Sequence, residues 1–122
     1  MKNYLLKKVV YCPNVFSMIF GLFGNVDIMQ YSRLHIFVSG KVQGVYFRQN
    51  TSYKAQELNI MGWVRNLKDG RVEAILEGER ENINKKLYWC NDGPENAIVT
   101  DIEIINEPYR KEFSDFQILT TA

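Results

Sequence analysis

Hydrophobic and polar residues begin a clean alternation near residue 34, where Leu34, Ile36 and Val38 are separated by His35 and Phe37. Alternation of this length is typical of a strand that buries one face. The spacing of the hydrophobic residues then changes from that of a strand to that of a helix. The positions that recur at helical spacing and so lie along one stripe are Phe47, Thr51, Ala55 and Leu58. The pattern predicts a strand followed by an amphipathic helix.

Two further strands are predicted on either side of a tight turn at residues 67–70, because Asp-Gly supplies the positive φ that a hairpin turn needs. A second helix is predicted over residues 79–91, with Ile83, Leu87 and Cys90 on one stripe and a Gly-Pro stop directly after it. Alternation over residues 97–107 predicts another strand. A short last strand follows at residues 116–119, after a turn at residues 108–111.

The resulting order is βαββαβ with one extra strand at the end. Right-handed crossovers place both helices on one face of an antiparallel sheet, so we expect an α+β, ferredoxin-like sandwich with a short additional C-terminal strand. A chain of 122 residues suits a single domain. We expect residues 29–122 to form that domain and residues 1–28 to be an N-terminal extension of uncertain role.

The extension is open to several interpretations. Three lysines within the first eight residues precede an apolar run, Val15 to Phe23, which resembles a secretory signal. The run is shorter than the roughly 20 apolar residues that span a bilayer, and no small-residue cleavage site follows it. Pro13 and Asn14 interrupt the pattern that a membrane-surface helix needs. A third interpretation is that Met29 is the natural start of the protein.

Charge and cysteine usage narrow the function classes. The formal net charge is +1, and no long block of one sign indicates nucleic-acid binding. The first 28 residues hold three Lys and one Asp, so the remainder is near neutral with 12 basic and 13 acidic residues. Cys12 and Cys90 are far apart and lack nearby partners, which argues against a zinc site or a disulfide framework. We expect a cytoplasmic monomer without membrane or nucleic-acid partners.

The stretch SGKVQGVYFRQN, residues 39–50, carries the candidate chemistry. Gly40 and Gly44 allow a tight turn in which successive amides converge into an anion-binding nest. A helix starting near Phe47 would point its free amides at the same place, and Arg48 would add a guanidinium suited to two phosphate oxygens. The loop predicts a small phosphorylated ligand. The competing interpretation is an ordinary turn with a solvated arginine.

A second stretch, GWVRNLKDGRV at residues 62–72, favours the phosphate-binding interpretation over the ordinary turn. Together with GKVQGVYFR it resembles the paired signature of the acylphosphatase family, whose small ferredoxin-like enzymes hydrolyse acyl phosphates. The resemblance runs from about Arg33 to Leu119. It implies that Arg48 binds phosphate and that Asn66 positions the attacking water. The residues it assigns to the phosphate-binding loop are Gln43, Gly44, Val45, Tyr46, Phe47 and Arg48.

Two residues depart from the family pattern. Lys41 stands where the family often has arginine, and Asn50 occupies a position that is frequently aromatic. Neither coincides with the implied catalytic pair. A change at Asn50 would alter the packing beside the site or the acyl-group preference, so substrate choice is the implication that it affects most.

The chemistry is consistent with these residues alone. A carboxylate leaves an acyl phosphate without being protonated, so the reaction needs no general acid, and the motif offers none. Positioning and electrostatic stabilisation suffice for phosphoryl transfer, and we expect no metal and no cofactor. The substrate would be a small acyl phosphate, and the products a carboxylate and inorganic phosphate.

Rival interpretations remain at this point. The same fold serves as a reader of single-stranded RNA, but the strand RVEAILEG lacks the aromatic residues that such a reader needs. A non-catalytic regulatory or ligand-binding module of the same fold stays open. His35, within a strand, is expected to have a packing or surface role, and Cys90, on an apolar stripe, is expected to be a buried hydrophobe.

Overall fold

A computed structural model describes residues 8–11 and 30–122 of the chain. Every strand and helix predicted after residue 30 is present at the expected place. The elements in chain order are β1 (Lys8–Tyr11), β2 (Tyr31–Lys41), α1 (Phe47–Glu57), β3 (Met61–Asn66), β4 (Val72–Glu79), α2 (Arg80–Asp92), β5 (Ile98–Glu107) and β6 (Phe116–Ile118). The predicted signal-like run lies outside the described residues.

The strands form one sheet in the order β1-β5-β2-β4-β3-β6. The four central strands pair antiparallel, as the predicted ferredoxin-like plan requires. The two edge strands β1 and β6 are parallel to their neighbours, so the sheet as a whole is mixed. The short C-terminal strand was predicted. Strand β1, which comes from the N-terminal extension and pairs with residues Glu103 to Asn106 of β5, was not.

One face of the sheet is covered by both helices and forms the core. Leu34, Ile36 and Val38 of β2 are buried there. The predicted helical stripes meet them: the buried helix residues include Phe47, Thr51 and Ala55 of α1 and Ile83, Leu87 and Cys90 of α2. Leu58, at the end of α1, is partly buried against the same cluster. The alternation and the helical spacing therefore identified the core correctly.

The opposite face of the sheet carries paired charges. Arg33, which is only 6% exposed, is bonded to Glu77, Glu107 and Glu112 at 2.8 to 3.2 Å. His35 Nε2 lies 2.6 Å from a carboxylate oxygen of Glu73. His35 is partly exposed, and its ring is held in this network on the face away from the helices, which is consistent with the packing or surface role expected for it.

Strand register brings two distant segments to one end of the sheet. Val72, the first residue of β4, pairs with Val38 near the end of β2 and with Asn66 at the end of β3. Strands β2 and β3 both run antiparallel to β4, so the carboxyl ends of β2 and β3 lie at the same end of the sheet. The loop that follows β2 and the side chain of Asn66 therefore meet there.

Lys86 on α2 is the least expected member of the core. Its side chain is 0% exposed, and its Nζ has no hydrogen-bond partner within the described part of the chain. The Nζ lies 3.8 Å from the centroid of the Trp89 ring. Burial lowers the pKa of Lys86 from 10.5 to about 8; nearby Cys90 opposes this change and Lys54 adds to it.

We expect Lys86→Met to stabilise the fold at neutral pH. Below pH 8 the ammonium is charged in both states, so its burial penalty of ~3 kcal/mol is fully present. As pH rises from 8 towards 10.5, the folded protein releases the proton first and the penalty declines. Subtracting ~1–2 kcal/mol for the lost contact with Trp89 leaves a net gain of ~1–2 kcal/mol at pH 7.

Urea unfolding at pH 7 and at pH 9.5 measures this gain, with Lys85→Met as the control because Lys85 is the exposed neighbour. The stability advantage of Lys86→Met should narrow at the higher pH. An advantage that is absent at pH 7, or equal at both pH values, would show that the buried charge is not the cause.

Candidate active site

The loop between β2 and α1 is fixed to the core by apolar side chains. Val42, Val45 and Phe47 are buried, at 1%, 7% and 2% exposure. Gly40, just before the end of β2, has a φ of 122°, and a Cβ at this position would lie 2.0 Å from the carbonyl oxygen of Ile98. Only glycine fits this close approach. The loop is therefore anchored to the core at several of its residues.

The loop passes into α1 through a left-handed residue. Tyr46 is the N-cap, with φ of 61° and ψ of 24°, and its side chain makes no capping hydrogen bond. Asn50 holds the Tyr46 carbonyl oxygen with two donors, its backbone amide at 3.0 Å and its Nδ2 at 2.9 Å. Asn50, the departure noted in the sequence, thus has a local role in fixing the turn.

The amides of this turn are available to a ligand. Within residues 8–11 and 30–122, no turn or loop hydrogen bond uses an amide of residues 43–48 as its donor. The first amides of a helix have no partner within the helix, and they carry the positive end of its dipole. A loop of this kind leading into a helix binds anions.

Arg48 adds the positive charge. It lies in the first turn of α1 and is half-buried. No carboxylate in the described part of the chain pairs with its guanidinium, whereas Arg33, Arg65 and Arg71 are each bonded to a carboxylate. The planar guanidinium is therefore free to take two oxygens of a phosphoryl group.

Asn66 faces the loop from the end of β3. Its Oδ1 is buried and accepts no hydrogen bond from the residues that the structure describes. The backbone around it is held firmly: the Asn66 carbonyl accepts from the amide of Ala122 at 3.0 Å, and Val72 pairs with Asn66 in the sheet. A buried acceptor without a donor is costly, so a bound water or ligand is expected to satisfy it.

These groups surround a pocket of about 250 Å³. Its size suits a phosphoryl group with a small substituent. The residues that line it are Val42, Gln43, Gly44, Tyr46, Phe47, Arg48, Gln49 and Asn66. None of them is acidic, so the single positive charge of Arg48 makes the electrostatic potential in the pocket positive, which favours binding of an anion.

The structure brings together most of the residues that the sequence singled out. Gly44, Tyr46, Phe47, Arg48 and Asn66 line the pocket. Val45 lies in the loop but points into the core. Gln43 lines the pocket, yet its side chain is bonded to the β3–β4 hairpin. Two lining residues, Val42 and Gln49, were not predicted; both lie within the quoted loop segment, and their closeness to its motif was the only signal.

The other chemically capable residues in the described part of the chain have different surroundings. Cys90 is fully buried, and burial raises the pKa of its thiol, as expected for a packing residue. No group of three His, Cys, Asp or Glu side chains among residues 8–11 and 30–122 is arranged to hold a metal ion. In that same part of the chain, no helix is long and apolar enough to cross a membrane.

Comparisons with known proteins identify the family. The family model for acylphosphatase matches residues 34–118. An acylphosphatase of Syntrophus aciditrophicus is 48% identical over 87 residues, which cover 71% of this chain and 91% of that protein. An acylphosphatase of Pyrobaculum aerophilum is 50% identical over 95 residues, covering 77% of this chain and 100% of that protein.

A solved structure leads to the same family. The acylphosphatase from Coxiella burnetii superposes with a TM-score of 0.71 at 38% sequence identity, covering 75% of this chain and 95% of its own. The matched region contains the whole candidate site, since both the loop and Asn66 lie within residues 34–118. By its sequence, its fold and its relatives, the chain belongs to the acylphosphatase family.

Proposed function

We propose that the protein is an acylphosphatase that hydrolyses the carboxyl-phosphate bond of small acyl phosphates to a carboxylate and inorganic phosphate. The observation that carries this proposal is that one small pocket is lined both by an anion-binding loop and by Asn66, whose Oδ1 accepts no hydrogen bond from the residues that the structure describes. The loop and Arg48 supply a phosphate site. Asn66 supplies a buried acceptor that a water molecule can satisfy.

The roles of these groups follow from phosphoryl-transfer chemistry. Charge in the transition state spreads over the equatorial phosphate oxygens, and the loop amides with the Arg48 guanidinium are placed to stabilise it. The carboxylate leaves as a weak base, so no proton donor is needed at that oxygen. Fixed donors in a partly enclosed pocket therefore suffice to promote departure of the leaving group.

Asn66 orients the nucleophile in this scheme. Its Oδ1 accepts a hydrogen bond from the water, which directs a lone pair of the water at phosphorus. An amide oxygen is too weak a base to remove the proton, so the proton passes to the phosphoryl oxygens. A mechanism of this form uses no metal and no cofactor.

We expect the purified protein to hydrolyse benzoyl phosphate in excess EDTA, with competitive inhibition by inorganic phosphate, because the phosphoryl group is held by amides and a guanidinium. A serine phosphate ester should be a poor substrate, since its alkoxide leaving group needs a proton donor that the pocket lacks. Release of benzoate, followed by absorbance, is the measurement.

The controls separate the alternatives. Activity that disappears in EDTA and returns with a divalent ion would overturn the metal-free mechanism. Phosphate binding without hydrolysis would instead favour the non-catalytic regulatory or ligand-binding module of the same fold.

We infer further that residues 29–122 form the catalytic domain, since the family match and every site residue lie within them. Strand β1 contributes to the sheet edge at Glu103 to Asn106, whereas the end of β2 that leads into the loop pairs with Ile98 at the other end of β5. We also propose that the protein acts as a cytoplasmic monomer on a small-molecule substrate. The near-neutral charge and the unpaired, buried Cys90 support this.

A further inference from the structure

Gln43 joins the phosphate loop to the segment that carries Asn66. Its Nε2 donates to the carbonyl oxygen of Leu67 at 2.8 Å and to that of Arg71 at 3.0 Å. Leu67 directly follows Asn66, and Arg71 directly precedes Val72, the residue that pairs with Asn66. The side chain of Gln43 therefore spans the base of the hairpin at the Asn66 end.

These bonds use the full donor capacity of the Gln43 side chain. A primary amide has two N–H donors, and each is directed to a carbonyl. The opposite orientation of the amide would set its oxygen against two carbonyl oxygens, which is unfavourable. No donor of this side chain is left for a phosphate, and its oxygen would repel one. The contribution of Gln43 to phosphate binding is limited to its backbone.

Apart from Gln43, the hairpin is held at this end by its own backbone and by Ala122, whose amide donates to the Asn66 carbonyl and whose carbonyl accepts from the Lys68 amide. The Leu67 amide donates to the Arg71 carbonyl, and the Gly70 amide donates to the Leu67 carbonyl. These bonds set the shape of the turn but do not set its distance from the loop. Gln43 supplies that connection through two bonds from one side chain.

We propose that Gln43 is a positioning residue that holds Asn66 in register with the phosphate loop. Its amide fixes the distance between the bound phosphoryl group and the water that Asn66 orients. The kinetic part of this inference rests on the proposed function; the structural part does not.

The test replaces Gln43 with methionine, which has similar length but no donor. With benzoyl phosphate, kcat for Gln43→Met should fall on the order of 10- to 100-fold, since a displacement of ~1 Å in a reacting group has an effect of this size. Inhibition by inorganic phosphate should change less than about threefold, because the loop amides and Arg48 remain. Gln117→Met, at an exposed position of β6, is the control and should leave both unchanged.

A double variant decides whether Gln43 acts through Asn66. In the Asn66→Ala background, adding Gln43→Met should lower the residual kcat less than about twofold, because there is no longer an amide to position. A further 10-fold loss in that background would overturn the proposal. Phosphate inhibition weakened as much as kcat would also overturn it and would assign Gln43 to phosphate binding.

NMR of the free protein tests the structural part without any activity. The Asn66 side-chain amide signals should be single and sharp in the wild type, and shifted or exchange-broadened in Gln43→Met, with the core methyl signals unchanged. Unchanged Asn66 signals would contradict the positioning role. If the wild type does not hydrolyse benzoyl phosphate, the proposed function fails, yet this comparison still decides the role of Gln43.

Discussion

Replacing Arg48 with alanine is expected to lower kcat/KM for benzoyl phosphate on the order of 10³-fold or more, the scale seen when an arginine that stabilises phosphoryl-transfer charge is removed. Inorganic phosphate should also inhibit the variant weakly. Both effects have one cause, because Arg48 is the only charged residue that lines the pocket in the described part of the chain. It therefore contributes to ground-state binding as well as to the transition state.

Two further variants make this expectation specific. Arg48→Lys keeps the charge but loses the planar pair of donors, so phosphate inhibition should recover partly while turnover stays low. Arg80→Ala is the matched control, because Arg80 is exposed at the start of α2, and the sheet end from which α2 begins is opposite the loop. Turnover by Arg48→Ala within tenfold of the wild type, with the fold intact by circular dichroism, would rule out the assigned role.

The sequence was sufficient for the parts of the fold that depend on local pattern. Alternation identified β2 and its buried residues Leu34, Ile36 and Val38. Helical spacing identified the stripes of α1 and α2, and the Asp-Gly turn identified the hairpin. These features are encoded within windows of about ten residues, so reading the chain in order recovers them.

Three features that depend on contacts between distant parts of the chain were not recovered. Strand β1 has four residues and is defined by its parallel partner β5 rather than by its own pattern. The carboxylates around Arg33 lie 44 to 79 residues away along the chain. Lys86 is buried beside an apolar stripe, a position where a lysine is usually expected to reach solvent. No local signal indicates any of these three.

The candidate site also contains some residues that the local sequence identifies and others that depend on contacts between distant segments. Gly40, Gly44 and Arg48 lie within one short motif, and the ability of this motif to bind an anion follows from their residue types and spacing. Asn66 was identified as a site residue only through the resemblance to a family, because nothing near it in the chain indicates that its Oδ1 is unsatisfied. The bonds from Gln43 to Leu67 and Arg71 cross 24 and 28 residues, and only the register of β2, β4 and β3 makes them possible.

Replacing Asn66 with alanine is expected to lower kcat for benzoyl phosphate on the order of 10²- to 10³-fold, comparable to the loss of a preorganised donor or acceptor in other active sites. Phosphate inhibition should change less than about threefold, since Asn66 belongs to β3 and not to the loop whose amides and Arg48 bind phosphate. The two catalytic residues are thus expected to differ: Arg48 affects binding and rate, and Asn66 affects rate.

The fold should tolerate this substitution well. The Asn66 Oδ1 accepts no hydrogen bond in the described structure, so removing it leaves no new unsatisfied donor among those residues. The strand pairing with Val72 and the bond from the Ala122 amide involve only the backbone. The thermal midpoint of Asn66→Ala should therefore equal or exceed that of the wild type, as it should for the control Asn84→Ala on the exposed side of α2.

Calorimetric titration with inorganic phosphate, together with kcat from benzoate release, measures the separation of binding from rate. Asn66→Asp provides a second constraint, because a carboxylate can accept from water but repels the phosphoryl group, so both affinity and rate should fall. Equal losses of phosphate affinity in Asn66→Ala and Arg48→Ala, with both variants folded, would show that Asn66 belongs to the phosphate site and that the water is oriented by another group.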